Sequence, residues 1–152
     1  MKSIEWRAAN PEATEALGAR LAAVIPRLRL VTVRGPLGAG KTTLVRGMLR
    51  GFGHSGTVKS PTFTLVEPYV FGDLIFNHFD FYRVKDPEEL EFLGLRDYLR
   101  EGAVCVVEWP ERAGALLPEP DIAITIDDAN GDRRVQLTAR NRNGEAALEA
   151  LT

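Results

Sequence analysis

The sequence is poor in cysteine, in net charge and in long apolar runs, and each shortage excludes something. One cysteine, Cys105, stands among 152 residues, so no intramolecular disulfide can form and no multi-cysteine zinc site exists. It lies in the apolar run 103–107 and reads as a buried, inert thiol, not a nucleophile. No apolar stretch approaches the ~20 residues that span a membrane. The opening MKSIEWRAANPEATEALG holds no apolar core of a secretion signal. These absences lead to the expectation of a cytosolic protein without membrane contact. Net charge is only −2, from 19 basic and 21 acidic residues, so an unaided grip on nucleic acid is not expected. Internal repeats, low-complexity tracts and long linkers are absent.

What is present is a globular composition, 45% apolar and 26% charged, on a length that suits one domain over residues 1–152. The charge is uneven: nine Lys/Arg face three Asp/Glu in the first fifty residues, and acids prevail after them. A basic end of this kind suits a phosphate site.

Asn10-Pro11-Glu12 opens a helix with a capping side chain, a proline at the first helical position and an acid near the positive end of the dipole. Leu17, Leu21 and Val24 follow at helical spacing until Pro26. Residues 28–33 read as a buried strand and 42–49 as a helix closed near Gly51 and Gly53. The segments 58–66 and 74–81, rich in β-branched and aromatic residues, read as strands. Asp86 to Glu89 start a helix that breaks at Gly94, before a shorter one ending at Arg100. Residues 103–107 form another buried strand. Residues 122–126 and 135–139 form a terminal hairpin around polar 127–134, and the tail beyond Arg140 is either a short helix or frayed. Helices alternating with buried strands make this an α/β domain with a partly parallel sheet.

Between the strand at 28–33 and the helix at 42–49 lies Gly35-Pro36-Leu37-Gly38-Ala39-Gly40-Lys41-Thr42, a full G-x-x-x-x-G-K-[ST] match in the context the motif requires. Glycines allow consecutive N–H groups to point inward at phosphate oxygens, and the helix beginning at Lys41 adds its unpaired N–H groups. The Lys41 ammonium is placed to reach the β- and γ-phosphates, and the Thr42 hydroxyl to ligate Mg²⁺. A second acid is expected at the end of a neighbouring strand. Two qualify, Asp80 and Glu108, with Glu108 favoured because four apolar residues deliver it to the carboxyl edge of the sheet. Asn77-His78-Phe79-Asp80 lacks the lysine of a guanine-reading N-K-x-D motif, and no transporter-type LSGGQ is present. His78 reads as a strand histidine that orients its neighbours more than as a base. Arg83 is either a surface charge or a phosphate contact. Glu88, Glu89 and Glu91 read as a solvated helix face.

Taken in order, GPLGAGKTTLVRG, KSPTFTLVEPY, HFDFYR, DPEELEFLGLRDYL and VVEWPER resemble the TsaE (YjeE) family over about residues 11–118. The resemblance implies a P-loop NTPase-like three-layer domain with a mixed, largely parallel central sheet and a C-terminal β-hairpin. It implies ATP and Mg²⁺, with hydrolysis weak in isolation. It also implies work with TsaD and TsaB in threonylcarbamoyladenosine formation at position 37 of tRNAs that read ANN codons, the tRNA being met through that complex. Carried over by position, Gly38, Ala39, Gly40, Lys41, Thr42 and Thr43 hold the phosphates, and Thr42 and Glu108 bind the metal. Asp80 is the catalytic acid or a metal partner, acting with Lys41 and Glu108, and Thr62 is a γ-phosphate-sensing switch. Pro11, Glu12 and Trp109 lie near the base, with Arg133 a further candidate. Pro36 stands where the family usually has aspartate. Two rival readings are a small-molecule P-loop kinase and a nucleotide-gated binding subunit. The kinase lacks support because AGALLPEP after Arg112 makes a poor arginine-rich lid.

Overall fold

The computed structural model describes residues 2–100 and 102–152. In chain order the elements are β1 (Ser3–Ala8), α1 (Pro11–Leu21), β2 (Leu30–Arg34), α2 (Lys41–Gly51), β3 (Val66–Phe71), β4 (Leu74–Asp80), α3 (Glu88–Leu93), α4 (Leu95–Tyr98), β5 (Ala103–Glu108), β6 (Ile122–Ala129), β7 (Asp132–Ala139) and α5 (Arg142–Ala150). Short 3₁₀ turns cover Ile25–Arg27 and Pro110–Leu116. Asn10 caps α1 by accepting from the Ala13 N–H at 2.8 Å, and Asn141 does the same for α5 through Gly144. The tail after Arg140 is therefore a capped helix. Glu89 closes a reciprocal cap at the start of α3, accepting from the Lys85 and Asp86 N–H groups.

The strands form one seven-stranded sheet in the order β1-β7-β6-β2-β5-β4-β3. β2 runs parallel to β5 and β6, and β4 parallel to β5. The β1–β7, β7–β6 and β3–β4 ladders are antiparallel. β1 thus points the same way as β6, and only β7 and β3 run against the other five strands. The architecture is the mixed, largely parallel sheet with a C-terminal hairpin that the sequence implies. One consequence governs the site: β1, β2, β4, β5 and β6 all end at the same edge.

Helices cover both faces unequally. On one face α1, α2 and α5 bury Leu21, Leu44, Met48 and Leu148 against Val31, Phe76, Val106, Ile124 and Leu137. On the other, α3, α4 and the second 3₁₀ turn pack Leu90, Leu95 and Ala113 on Leu30, Phe79, Cys105 and Val107. That second layer stops short of β6 and β7, where Thr125 and Gln136 are exposed. Cys105 is fully buried, which pushes its thiol up to about 11, as expected of an inert cysteine. Among the described residues no helix is long and apolar enough to cross a membrane.

α1 and α2 touch backbone to backbone. A Cβ on Gly18 would sit 2.1 Å from the Leu44 carbonyl oxygen, and one on Gly47 2.0 Å from that of Glu15. Only glycine permits that approach, and it fixes the start of α1 relative to the loop preceding α2.

Two local expectations need correction, and two strand segments had no reading from the sequence. Residues 58–65 do not form a strand; the ladder begins at Val66. Pro61 has no N–H to offer, Leu65 takes a left-handed conformation (φ 70°) and its N–H returns to the Pro61 carbonyl at 2.7 Å. The residues after 66, left unassigned by pattern, complete edge strand β3, where Pro68 is tolerated. The hairpin loop is not 127–134 but the two residues Asn130-Gly131, both with positive φ (56° and 94°), so polar Asp127, Asp128, Arg133 and Arg134 belong to the ladder. β1 drew no reading from the sequence, although Ile4, Trp6 and Ala8 alternate with Ser3, Glu5 and Arg7, the pattern of a half-buried strand.

Candidate functional site

At the common strand edge, β2 turns into α2 through residues 35–40, with Gly38 (φ 78°) and Gly40 (φ 106°) in left-handed conformations that side chains resist. The loop forms a ridge between two hollows. One, of about 450 Å³, runs along Gly38, Gly40, Lys41, Thr42 and Thr43, has Asp80 and Glu108 at its base, and is walled by Ser60, Thr62, Tyr82, Arg83 and Trp109. The other, of about 200 Å³, is bounded by Asn10, Pro11, Thr14, Ala39, Gly131 and Arg133.

The first hollow gathers buried charge. Lys41, Asp80 and Glu108 are 5%, 4% and 2% exposed. The two acids end adjacent parallel strands as direct partners in the ladder. The Thr42 hydroxyl donates to the Glu108 carboxylate at 3.0 Å from either oxygen. The Lys41 ammonium donates to the carbonyls of Gly35 (2.7 Å) and Pro36 (2.8 Å) and lies 4.5 Å from the centre of the Trp109 ring. Burial lowers the Lys41 pKa, against the pull of Glu108, Asp80 and Glu111 in the other direction. Trp109 itself takes a left-handed backbone (φ 57°) directly after Glu108, an uncommon state for a bulky residue. That turn carries the indole over the loop, where it also meets Tyr82.

Asp80 is held from two sides. Its Oδ1 accepts from the Tyr82 N–H at 2.9 Å, and its Oδ2 accepts from the hydroxyls of Ser60 and of Thr62, the latter at 3.2 Å. The segment 58–65 thus clamps a carboxylate where a strand was expected. Thr62 sits where the resemblance puts a switch, and Ser60 beside it was not singled out from the sequence, though its Ser-Pro step carried a turn signal. Arg83 also lines this hollow, its guanidinium 4.4 Å from the ring centre of exposed Phe63.

The residues expected near a base are divided. Pro11 and Arg133 line the smaller hollow, and Arg133 donates to the Gly38 carbonyl at 3.2 Å and to Asp128. Trp109 is on the opposite side of the ridge, with the acids. Glu12 is exposed on the first turn of α1 and borders neither hollow.

A hard divalent cation suits these donors. Thr42, Glu108 and Asp80 offer only oxygen, and among the described residues no cluster of three His, Cys, Asp or Glu side chains forms a cage. One hydroxyl and one or two carboxylates beside a phosphate cradle are the set Mg²⁺ accepts, the rest of its shell being water and phosphate oxygen.

Known proteins resemble this chain over most of its length. The family described as threonylcarbamoyl adenosine biosynthesis protein TsaE matches residues 8–136. The chain is 49% identical to the tRNA threonylcarbamoyladenosine biosynthesis protein TsaE of Haemophilus influenzae over 81% of its length and 78% of that protein's. It is 39% identical to the protein of that name from Bacillus subtilis, over 100% and 96%. The crystal structure of Bacillus subtilis YdiB superposes with a TM-score of 0.83 at 33% identity, covering 99% of this chain and 94% of that one.

Proposed function

This chain belongs to the TsaE family, and we propose that it is a cytoplasmic, Mg²⁺-dependent ATP-binding and ATP-hydrolysing subunit serving threonylcarbamoyladenosine formation at position 37 of tRNAs that read ANN codons, together with TsaD and TsaB. The observation that carries the reading is the Thr42–Glu108 hydrogen bond at 3.0 Å, beside Lys41 on the same loop. A hydroxyl and an acid already paired there are the groups that would hold a phosphate-bound cation.

The chemistry follows from the placement. The loop N–H groups and the first turn of α2 receive the β- and γ-phosphates. Lys41, drawn from the carbonyls it caps, neutralises charge that grows on the γ-phosphoryl oxygens as water attacks. Thr42 and Glu108 would hold Mg²⁺, which would supply further charge neutralisation to the bound phosphates. Asp80, with Oδ1 fixed by the Tyr82 N–H, presents its other oxygen to orient the attacking water once the Ser60 and Thr62 hydroxyls turn away. Pro11 and Arg133 offer an apolar edge and a cation to the base and ribose on the far side of the ridge.

ATP binding by calorimetry and phosphate release test this. Lys41→Ala is expected to lower turnover by roughly 10³-fold; binding and turnover at the level of the unaltered protein would overturn the proposal. Inorganic phosphate as sole product from labelled ATP in a metabolite mixture supports an ATPase, whereas a phosphorylated metabolite would make it a kinase. Co-purification of TsaD and TsaB in the presence of ATP, compared with ADP, tests the partners.

A further inference from the structure

The two acids of the larger hollow are held by different means. Asp80 is tied to the hydroxyls of a surface segment, Glu108 to a histidine that solvent never reaches. His78 lies two residues before Asp80 on β4, so both side chains share a face of the sheet, and it pairs with Val106, two residues before Glu108. It is 0% exposed, and its Nε2 stands 2.6 Å from Glu108 Oε2. A carboxylate only accepts, so Nε2 donates. The other ring nitrogen, Nδ1, is buried and has no hydrogen-bond partner among the described residues.

An imidazole here is a poor packing choice. Its neighbours on this face of β4 and β5, Phe76, Val104 and Val106, are fully buried and apolar. Nδ1 bears an uncompensated desolvation cost that leucine or phenylalanine would avoid. What the imidazole adds is one short, charge-assisted bond to a flexible glutamate. Glu108 then has its Oε2 fixed from below by His78 while both oxygens face Thr42. We propose that His78 is a positioning residue, which locks the Glu108 side chain onto the Thr42 hydroxyl and so sets the divalent-cation affinity of the site. The inference rests on the Mg²⁺-ATP reading above and adds to it the residue that organises the acid. Outer partners of this kind are worth about 10- to 100-fold in metal affinity.

The experiment titrates Mg²⁺ into the full-length protein with ATP and records the Mg²⁺ concentration for half-maximal binding, alongside ATP affinity in EDTA. His78→Leu is expected to raise that concentration about 10- to 100-fold and to leave the EDTA affinity unchanged. His78→Gln, whose amide N–H reaches a similar point, restores the unaltered behaviour. In a Glu108→Gln background His78→Leu has no further effect. An unchanged Mg²⁺ requirement, or an equal loss of affinity in EDTA, would reduce His78 to a core residue and overturn the proposal. Nitrogen NMR of the nucleotide-free protein gives a reading that survives misfolding of the leucine variant: the His78 proton is expected on Nε2, with a resonance that shifts in Glu108→Gln. A proton on Nδ1 alone, or no shift, overturns it too. If the unaltered protein binds ATP with no Mg²⁺ dependence, the functional reading itself fails and this inference with it.

Discussion

The two sides of the phosphate-loop ridge are built on opposite principles. On the acid side, Lys41, Asp80, Glu108 and His78 are almost wholly buried, and each is held by hydrogen bonds from a strand end, a helix start or a tethered segment. On the other, Arg133 is partly exposed and its carboxylate partner Asp128 more so, and the lining comes from a helix start and a hairpin tip. Charge buried away from water interacts strongly and loses little to reorganisation, which suits bond-breaking. A shallow, solvated rim suits holding and releasing the remainder of a nucleotide. On the proposed reading, the most firmly held groups stand where charge would be met during reaction.

That contrast can be tested from either side. Asp80→Asn keeps the shape of the acid side and removes its second charge; turnover should fall about a hundredfold, while ATP affinity by calorimetry stays within about threefold of the unaltered protein. A large loss of affinity instead would mean that Asp80 serves binding, not turnover. Gly47→Ala attacks the seam that places α1, and with it Pro11, against the loop. Its Cβ would meet the Glu15 carbonyl, so denaturant unfolding should show a loss of about 1–3 kcal/mol, and nucleotide affinity should suffer more than turnover at saturation. Arg133→Ala samples the solvated side alone: an about two- to fivefold weaker Kd, about one kcal/mol or less as befits an exposed ion contact, with saturated turnover unaltered.

The smallest effect concerns a carboxylate outside both hollows. Asp121 accepts from the Arg29 and Leu30 N–H groups and from Asn141 and Asn143. Burial pushes its pKa up, but these bonds together outweigh burial and hold it below the ordinary 3.8. Its stabilisation is complete above that ordinary value and is lost as pH falls through the lower folded one. Asp121→Asn should therefore flatten the acid limb of an unfolding-versus-pH curve and leave ATP binding at neutral pH intact. An unchanged acid limb would mean that other carboxylates govern it.

Legibility in the sequence tracked how local the determinant is. The phosphate loop declared itself because the chemistry needs glycines, a lysine and a threonine at fixed spacing within eight residues. Glu108 was legible because its apolar strand is short and unambiguous, and Asp80 because it ends another. The segment 58–65 misled because Val58, Thr62, Phe63 and Thr64 favour strands by composition, whereas Pro61 and the pull of Asp80 on two hydroxyls decide otherwise. His78 looked like an orienting residue, but its target lies 30 positions away. Glycines 18 and 47 were not singled out, since their necessity arises only where two helices meet.

By itself the sequence determined the loop, the strand and helix that flank it and the family, because each depends on residues close together along the chain. The tertiary structure alone decided that five strand ends share one edge. Parallel pairing of β6 with β2, and the direction of β1, bring the hairpin tip and the start of α1 to the loop from opposite ends of the chain. No local pattern encodes that meeting, because it is fixed by which strands exchange hydrogen bonds across the sheet.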